Sequence, residues 1–517
     1  MRAWYGLAAA ILVAAALRLP GIGTWSLWAD EAATAAFMTL GWWDLVDPLA
    51  RLETTPPTYY LALKAWTLAA GGSDAALRLP SALAGIASVA VLWWLCRDAF
   101  GRRAAFWAAM TLAITGWHVF HSRDARVYAL LVLAALLALV AARAFAARAG
   151  RPGPGWIAPA IGLAGLGALT AWLHFAGTIA AGTAFIYAAA VMIAGGPPDR
   201  RAVVRLIAAA ALCGVLMLPV LWLAWSIMQA DGAAGFGWMN RIGFALAGQT
   251  MLRVLMLAPS TLDPWTGIGP AAAGLAAGMA LVLGWLALRP GPRQAEALAL
   301  GAALAGGIAL FLVAHAIKPL ILTRTLLILV PLVAALVGTG IARLQPVALR
   351  VAAFAAMLLA QAPALYDTFR IPPDASDWRR LAQRIAAASG PDSAVLVFDA
   401  FEATALDRYR AAGGPRVGYI LLPPGEVGLH GYIAARTSSA QAVTAETLLA
   451  ALCRDLRAPR LLVGQRNHEV LEDQRQALAG ALRGTGSRPE PTIWDRSLGL
   501  EIWSAPNCPA GPTPARP

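Results

Sequence analysis

The chain has 517 residues, 59% of them hydrophobic and only 13% charged, with a mean hydropathy of +0.62. Soluble globular proteins carry about a quarter charged residues, so most of this chain is not built for water. The net charge of +13 lies largely in short runs between apolar blocks, which excludes reading it as a nucleic-acid-binding surface.

The apolar blocks run over about 3–19, 79–96, 104–120, 127–146, 156–174, 176–194, 203–224, 267–288, 297–317, 321–342 and 347–365. Each approaches or exceeds the roughly 17–25 residues of a bilayer-spanning helix. The prediction is an all-α polytopic domain of about eleven spans over residues 1–370, followed by an extracytoplasmic α/β domain over 371–517. Residues 3–19 are long for a signal peptide core and lack a clear cleavage site, so they read as an uncleaved first span.

A first outer loop, 21–78, follows. It opens with WSLWADEAATAAF (25–37), where Asp30 and Glu31 stand side by side in apolar surroundings. A carboxylate with little water is costly unless it is paired or functional, which singles out Asp30. Glu31 is expected either nearer to solvent or in a supporting role. Asp44, Asp47 and Asp74 read as solvated acids, and Glu53 carries no assigned role. Tryptophan and tyrosine in WSLW, GWWDL and TTPPTYY favour the membrane boundary. Residues 57–70 and 244–258 read as interfacial or re-entrant helices rather than spans.

The basic turns RDAFGRR (97–103), ARAFAARAGR (142–151), PDRRAVVR (198–205), RPGPR (289–293) and ARLQPVALR (342–350) all fall on the side of Arg2. The positive-inside rule makes that side cytoplasmic. The N-terminus is therefore expected on the cytoplasmic side and the tail outside.

On the outer side, HVFHSRDARVYAL (118–130) gathers His118, His121, Arg123, Asp124, Arg126 and Tyr128. If the fourth span begins near Arg123, Asp124 and Tyr128 stack one turn apart. The plain alternative is a self-neutralised helix start at the membrane surface. Farther on, AHAIKPLILTRTLLILVP (314–331) places Lys318 and Arg324 at the outer boundary with no acid nearby in sequence. Each alone is explained by snorkelling; the two together suit a phosphate.

In the tail, 377–389 and 403–412 have helical spacing, 393–398 and 460–464 read as strands, 468–482 as a charged helix and 492–504 as a closing hairpin. Cys96 and Cys213 sit in spans as packing residues, whereas Cys453 and Cys508 lie in the tail, where an oxidising compartment would allow a disulfide.

DEAATAAF, PPTYYLALKAW, LRLPSAL and SRDARVYALLVLAALL occur in an order that resembles the membrane glycosyltransferases of the C-type fold. The nearest likenesses are the bacterial relatives of protein O-mannosyltransferases, the lipid A aminoarabinose transferases and the rhizobial core galacturonosyltransferases. The resemblance covers about 1–345 and implies transfer of a hexosyl or pentosyl group from a polyprenyl-phosphate donor to a lipid, glycan or protein acceptor of the cell envelope, such as lipopolysaccharide. It implies Asp30 as general base, with Glu31 as second acid of the pair; Asp124 is expected to shape the site around them. Arg123, Arg126, Tyr128, Tyr59, Lys64, Lys318 and Arg324 are the substrate-binding candidates. Relatives often carry His or Lys before the double proline, where this chain has Thr54 and Thr55, which leaves Lys64, Lys318 and Arg324 as candidates to replace that cation. A divalent cation at the first-loop acids stays open, since some relatives use one and others do not. The rival from another class is a flippase or transporter of lipid-linked sugar. Transporters place ionisable groups near the midplane and show internal repeats, and neither pattern is present in this chain.

Overall fold

A computed structural model of the protein describes residues 2–53, 55–229, 243–258, 268–291, 293–370, 377–388, 393–397, 400–409, 418–421, 460–466, 479–480, 482–484, 486, 488–489, 493–494 and 498–504. The chain divides into two compact units. One comprises Met1–Gly23, Leu45–Gly232 and Phe236–Arg370; the other comprises Thr24–Asp44, Ala233–Gly235 and Ile371–Pro517. The change at 370/371 coincides with the end of the apolar blocks, and the segment Thr24–Asp44 is grouped with the tail.

The helices in chain order are α1 (Arg2–Arg18), α2 (Ala29–Phe37), α3 (Trp42–Leu52), α4 (Pro57–Ala70), α5 (Asp74–Phe100), α6 (Arg102–Ile114), α7 (Gly116–His121), α8 (Tyr128–Ala146), α9 (Ile157–Leu173) and α10 (Gly177–Ala194). They continue with α11 (Arg200–Gln229), α12 (Phe244–Leu255), α13 (Ile268–Leu288), α14 (Gln294–Ile317), α15 (Thr323–Leu326), α16 (Val330–Arg343) and α17 (Val347–Arg370). Among the described residues, eight helical runs are long and apolar enough to cross a membrane: α5, α8, α10, α11, α13, α14, the run Thr323–Arg343 and α17. The predicted spans at 3–19 and 156–174 are α1 and α9, each of 17 residues. Because a bilayer core offers the backbone no partners, helices that satisfy their own amides are the form such apolar runs must take.

The predicted span 104–120 is divided. Thr115 is extended and separates α6 from α7. The break is paid for by a distant side chain: Gln361 of α17 accepts from the Gly116 amide at 2.9 Å and donates to Leu257 O at 2.6 Å. Gly116 also lies against Ala364, where any Cβ would collide.

The run through α15 and α16 is the innermost, 94% buried over its most apolar stretch. Small residues let its neighbours approach: a Cβ on Gly338 would overlap the backbone of Ala108 in α6, and one on Gly340 the backbone of Leu283 in α13. Close backbone approach through glycine is how helices gain contact where lipid removes the hydrophobic driving force between them.

In the second unit, α18 (Trp378–Ala388) and α19 (Ala400–Arg408) accompany β1 (Ser393–Val397), β2 (Gly418–Leu421), β3 (Arg460–Arg466), β4 (Ile493–Trp494) and β5 (Leu498–Ser504). The sheet order is β2-β1-β3-β5-β4. β1 pairs parallel with β2 and β3, with Val395 opposite Tyr419 and Leu462, while β5 runs antiparallel to β3 and β4. The predicted closing hairpin is the β4–β5 pair. The expected helix at 468–482 lies mostly outside the described residues, and Cys453, Cys508 and Thr54 lie outside them altogether.

Candidate active site

The first unit gathers a polar cluster about the turn between α7 and α8. Two prolines begin α4, with Pro57 at its first position, where a missing amide costs nothing. Tyr59 and Tyr60 therefore fall in the first turn, both buried, their rings edge-on at 5.1 Å. Arg126 donates to the Tyr60 hydroxyl at 3.0 Å and stands 3.7 Å from the Glu53 carboxylate, which also accepts from Tyr60 at 3.3 Å. Glu53 is 1% exposed and Arg126 4%. Ser81 of α5 fixes the backbone there by donating to Arg126 O at 2.8 Å.

Tyr128 opens α8. Its ring lies 5.4 Å from that of His121 and 5.7 Å from that of His174, and the Arg324 guanidinium sits over it at 5.8 Å. The expected stacking of Asp124 on Tyr128 within one helix does not occur, because the helix begins only at Tyr128. Asp124 is in the preceding turn, with its carboxylate 3.7 Å from His121 Nδ1. The reason is local: Arg123 N bonds back to Phe120 O and closes a turn, so helical bonding restarts with Leu131 N to Val127 O. Burial, and then the charge of Arg324, pull the His121 pKa down to about 3, so its imidazole is neutral beside Asp124 at ordinary pH.

Arg123 takes a different task. One terminal nitrogen donates to Arg18 O at 3.0 Å and Pro20 O at 2.8 Å, and the guanidinium lies 4.7 Å from the Phe369 ring centre. Burial, then the charge of Arg78, lower its pKa to about 10. Arg78 itself holds Ile22 O at 3.0 Å. The two arginines thus anchor the chain as it leaves α1. Lys64 is buried on α4, and Lys318 ends α14 half-buried. His315 shapes the turn after it, accepting the Leu320 and Ile321 amides at 3.2 and 3.3 Å.

The second unit holds the acid pair. Asp30 and Glu31 occupy the first turn of α2, where carboxylates suit the positive end of the helix. Glu31 is fully buried and Asp30 8% exposed, so the expectation of a more solvated Glu31 is corrected. Its burial follows from a capping task, since Glu31 accepts from the Trp28 amide at 3.2 Å and satisfies an otherwise orphaned donor. Among the described residues no group of three His, Cys, Asp or Glu side chains converges as a metal site.

Glu53, Tyr60, His121 and His174 escaped assignment in the sequence. Tyr60 lies within the PPTYYLALKAW stretch, and Glu53 reads in sequence as one more acid of the loop. What marks them is the partner, and Glu53 meets Arg126 across 73 positions of chain.

Residues 54–225 match the family model described as dolichyl-phosphate-mannose-protein mannosyltransferase. That match begins just before α4 and ends within α11. The crystal structure of ArnT from Cupriavidus metallidurans bound to undecaprenyl phosphate matches with 14% identity over 98% of this chain and 99% of that one, at TM-score 0.57. Its apo state matches at 13% identity, 98% of each chain and TM-score 0.58. This is the C-type glycosyltransferase fold. The apo oligosaccharyltransferase of Archaeoglobus fulgidus shares that C-type fold at 13% identity, 92% of this chain, 71% of that one and TM-score 0.53. No curated protein matches the chain in sequence.

Proposed function

We propose that the protein is a membrane glycosyltransferase that moves a sugar from a polyprenyl-phosphate donor to a cell-envelope acceptor on the outer face of the cytoplasmic membrane. The observation that carries this reading is the buried Glu53–Tyr60–Arg126 group together with Arg324 over Tyr128. Arg126 is buried and Arg324 is half-buried over the ring of Tyr128, two residues farther on, and two guanidiniums about one aromatic group suit a phosphate. The full-length likeness to a protein crystallised with undecaprenyl phosphate supports a lipid phosphate as that anion.

In this reading the departing polyprenyl phosphate takes its charge stabilisation from Arg126 and Arg324, with Lys318 and Lys64 as further cations. Guanidiniums suit phosphate oxygens through paired N–H donors. Asp30 takes the proton from the acceptor hydroxyl as that oxygen attacks the anomeric carbon, and the bond from that carbon to the phosphate oxygen breaks. One displacement with one base inverts the anomeric centre. Glu31 holds the start of α2, and Asp124, beside neutral His121, shapes the acceptor side. Tyr59 and Tyr128 offer ring faces to the sugar.

The test is release of polyprenyl phosphate from a labelled lipid-linked sugar by membranes containing the protein. Release coupled to appearance of a labelled envelope product supports transfer. Movement of intact donor across the bilayer without release would establish the flippase instead.

A further inference from the structure

The entry into α2 is held by the C-terminal part of the chain, through contacts that all lie within the second unit. Leu27 N donates to the Tyr409 hydroxyl at 2.6 Å. Ser26 Oγ accepts from the Trp378 amide at 2.9 Å, and Arg379 donates to Thr24 O at 3.0 Å. The Arg379 guanidinium also lies 5.1 Å from the centre of the Tyr409 ring. Thr24, Arg379, Tyr409 and Leu27 therefore close a loop of contacts around the four residues that lead into the helix. Helix α19, which ends just before Tyr409, packs directly on α2.

Each contact answers a local need. Leu27 is fully buried, so its amide requires a partner, and an orphaned buried donor is costly. Trp378 is the first residue of α18, where backbone amides lack intrahelical acceptors. Asp377 accepts the Arg380 amide at 3.3 Å, which leaves the Trp378 amide to Ser26. The tail thus completes its own helix end with a side chain from the first outer loop.

We infer that Tyr409 is a positioning residue for Asp30, so that the C-terminal domain sets the base rather than merely accompanying the membrane domain. This rests on the glycosyltransferase reading above. Asp30 lies three residues beyond Leu27, in the first turn of α2. An α-helix turns about 100° per residue, so a small change in how the chain enters α2 re-aims the carboxylate. Misplacement of a reacting group by about 1 Å can cost about 10²-fold in rate.

The experiment uses the full chain in membranes and the substitution Tyr409→Phe, which keeps the ring beside Arg379 and deletes only the hydroxyl. Initial rates are followed against concentration of the lipid-linked sugar. The expected result is a fall of about tenfold in kcat with the donor KM unchanged, since the donor contacts are left alone. Ser26→Ala is expected to act in the same direction by a smaller factor. In an Asp30→Asn background, Tyr409→Phe should cost nothing further, because two groups acting through one step are not additive. An equal fractional loss in both backgrounds would mark Tyr409 as merely structural and overturn the proposal, as would wild-type kcat in Tyr409→Phe. A second measurement does not depend on activity: hydrogen exchange across 25–34 should rise in Tyr409→Phe while that of α5 stays fixed, and unchanged exchange would also overturn the claim. Absence of transfer by the wild type would sink the function reading itself, a result separate from these.

Discussion

Arg126 donates to the Tyr60 hydroxyl at 3.0 Å while its other terminal nitrogen stands 3.7 Å from Glu53. With Glu53 1% exposed, neither charge has water to fall back on. Removing one partner of a buried pair costs about 3–5 kcal/mol, because the other is stranded. Arg126→Met should therefore lower the unfolding temperature of the detergent-solubilised protein, and the double variant Arg126→Met, Glu53→Gln should recover part of the loss. Transfer should stay low in both, since the cation is gone from each.

Arg324 makes a separate case. It is half-buried over the Tyr128 ring, so its loss should affect turnover more than folding. Arg324→Ala is expected to slow transfer by about 10²-fold, the usual worth of one preorganised group on developing charge. Arg324→Lys should restore only part, because an ammonium lacks the planar fork. Tyr128→Phe retains the ring face and should be nearly silent. Rates in membranes carrying equal amounts of each variant provide the check.

His121 gives a pH dependence with a defined sign. Burial and Arg324 bring its pKa to about 3, against 6.5 for the free side chain. Between those values the unfolded chain binds a proton that the folded protein refuses. Its contribution to stability is therefore fully present above about pH 6.5 and is lost as pH falls toward 3. The charged groups facing it are Asp124 at 3.7 Å and Arg324. In thermal unfolding from pH 8 to pH 5, His121→Gln should show a shallower acid-side decline than wild type. Equal slopes would mean that His121 is not held neutral.

Much of the membrane domain could be read from the chain because length and apolarity are local properties. Helices α8, α10, α13 and α14 occur close to where the apolar blocks place them. The break at Thr115 was not legible, since Gln361, which satisfies Gly116, is 245 positions away. The capping task of Glu31 could have been suspected from its place three residues after Trp28, but its burial could not. The grouping of residues 24–44 with the tail had no local sign, for Ser26 and Trp378 are separated by 352 positions. Asp30 stands out in sequence as an acid in apolar flanks, and the structure places it, 8% exposed, in the first turn of α2. The Arg126 group was half found because a salt bridge shows only one partner at a time.

Orientation rests on arginine asymmetry and has its own test. Alkaline phosphatase fused after residue 375 should be active, and fused after residue 293 inactive. The opposite pattern would put Asp30 and Arg126 on the cytoplasmic side, where the proposed chemistry has no place.

The most direct measurement is sugar transfer by Asp30→Asn. Asparagine keeps the shape of the side chain and cannot accept the acceptor's proton, so the fold persists while the base is lost. With a labelled polyprenyl-phosphate sugar and equal protein in the membranes, transfer should fall by about 10²–10⁴-fold, the range for a positioned base. Asp44→Asn, an exposed acid in the same outer loop, should match wild type. If Asp30→Asn releases polyprenyl phosphate as fast as wild type, Asp30 is not the base.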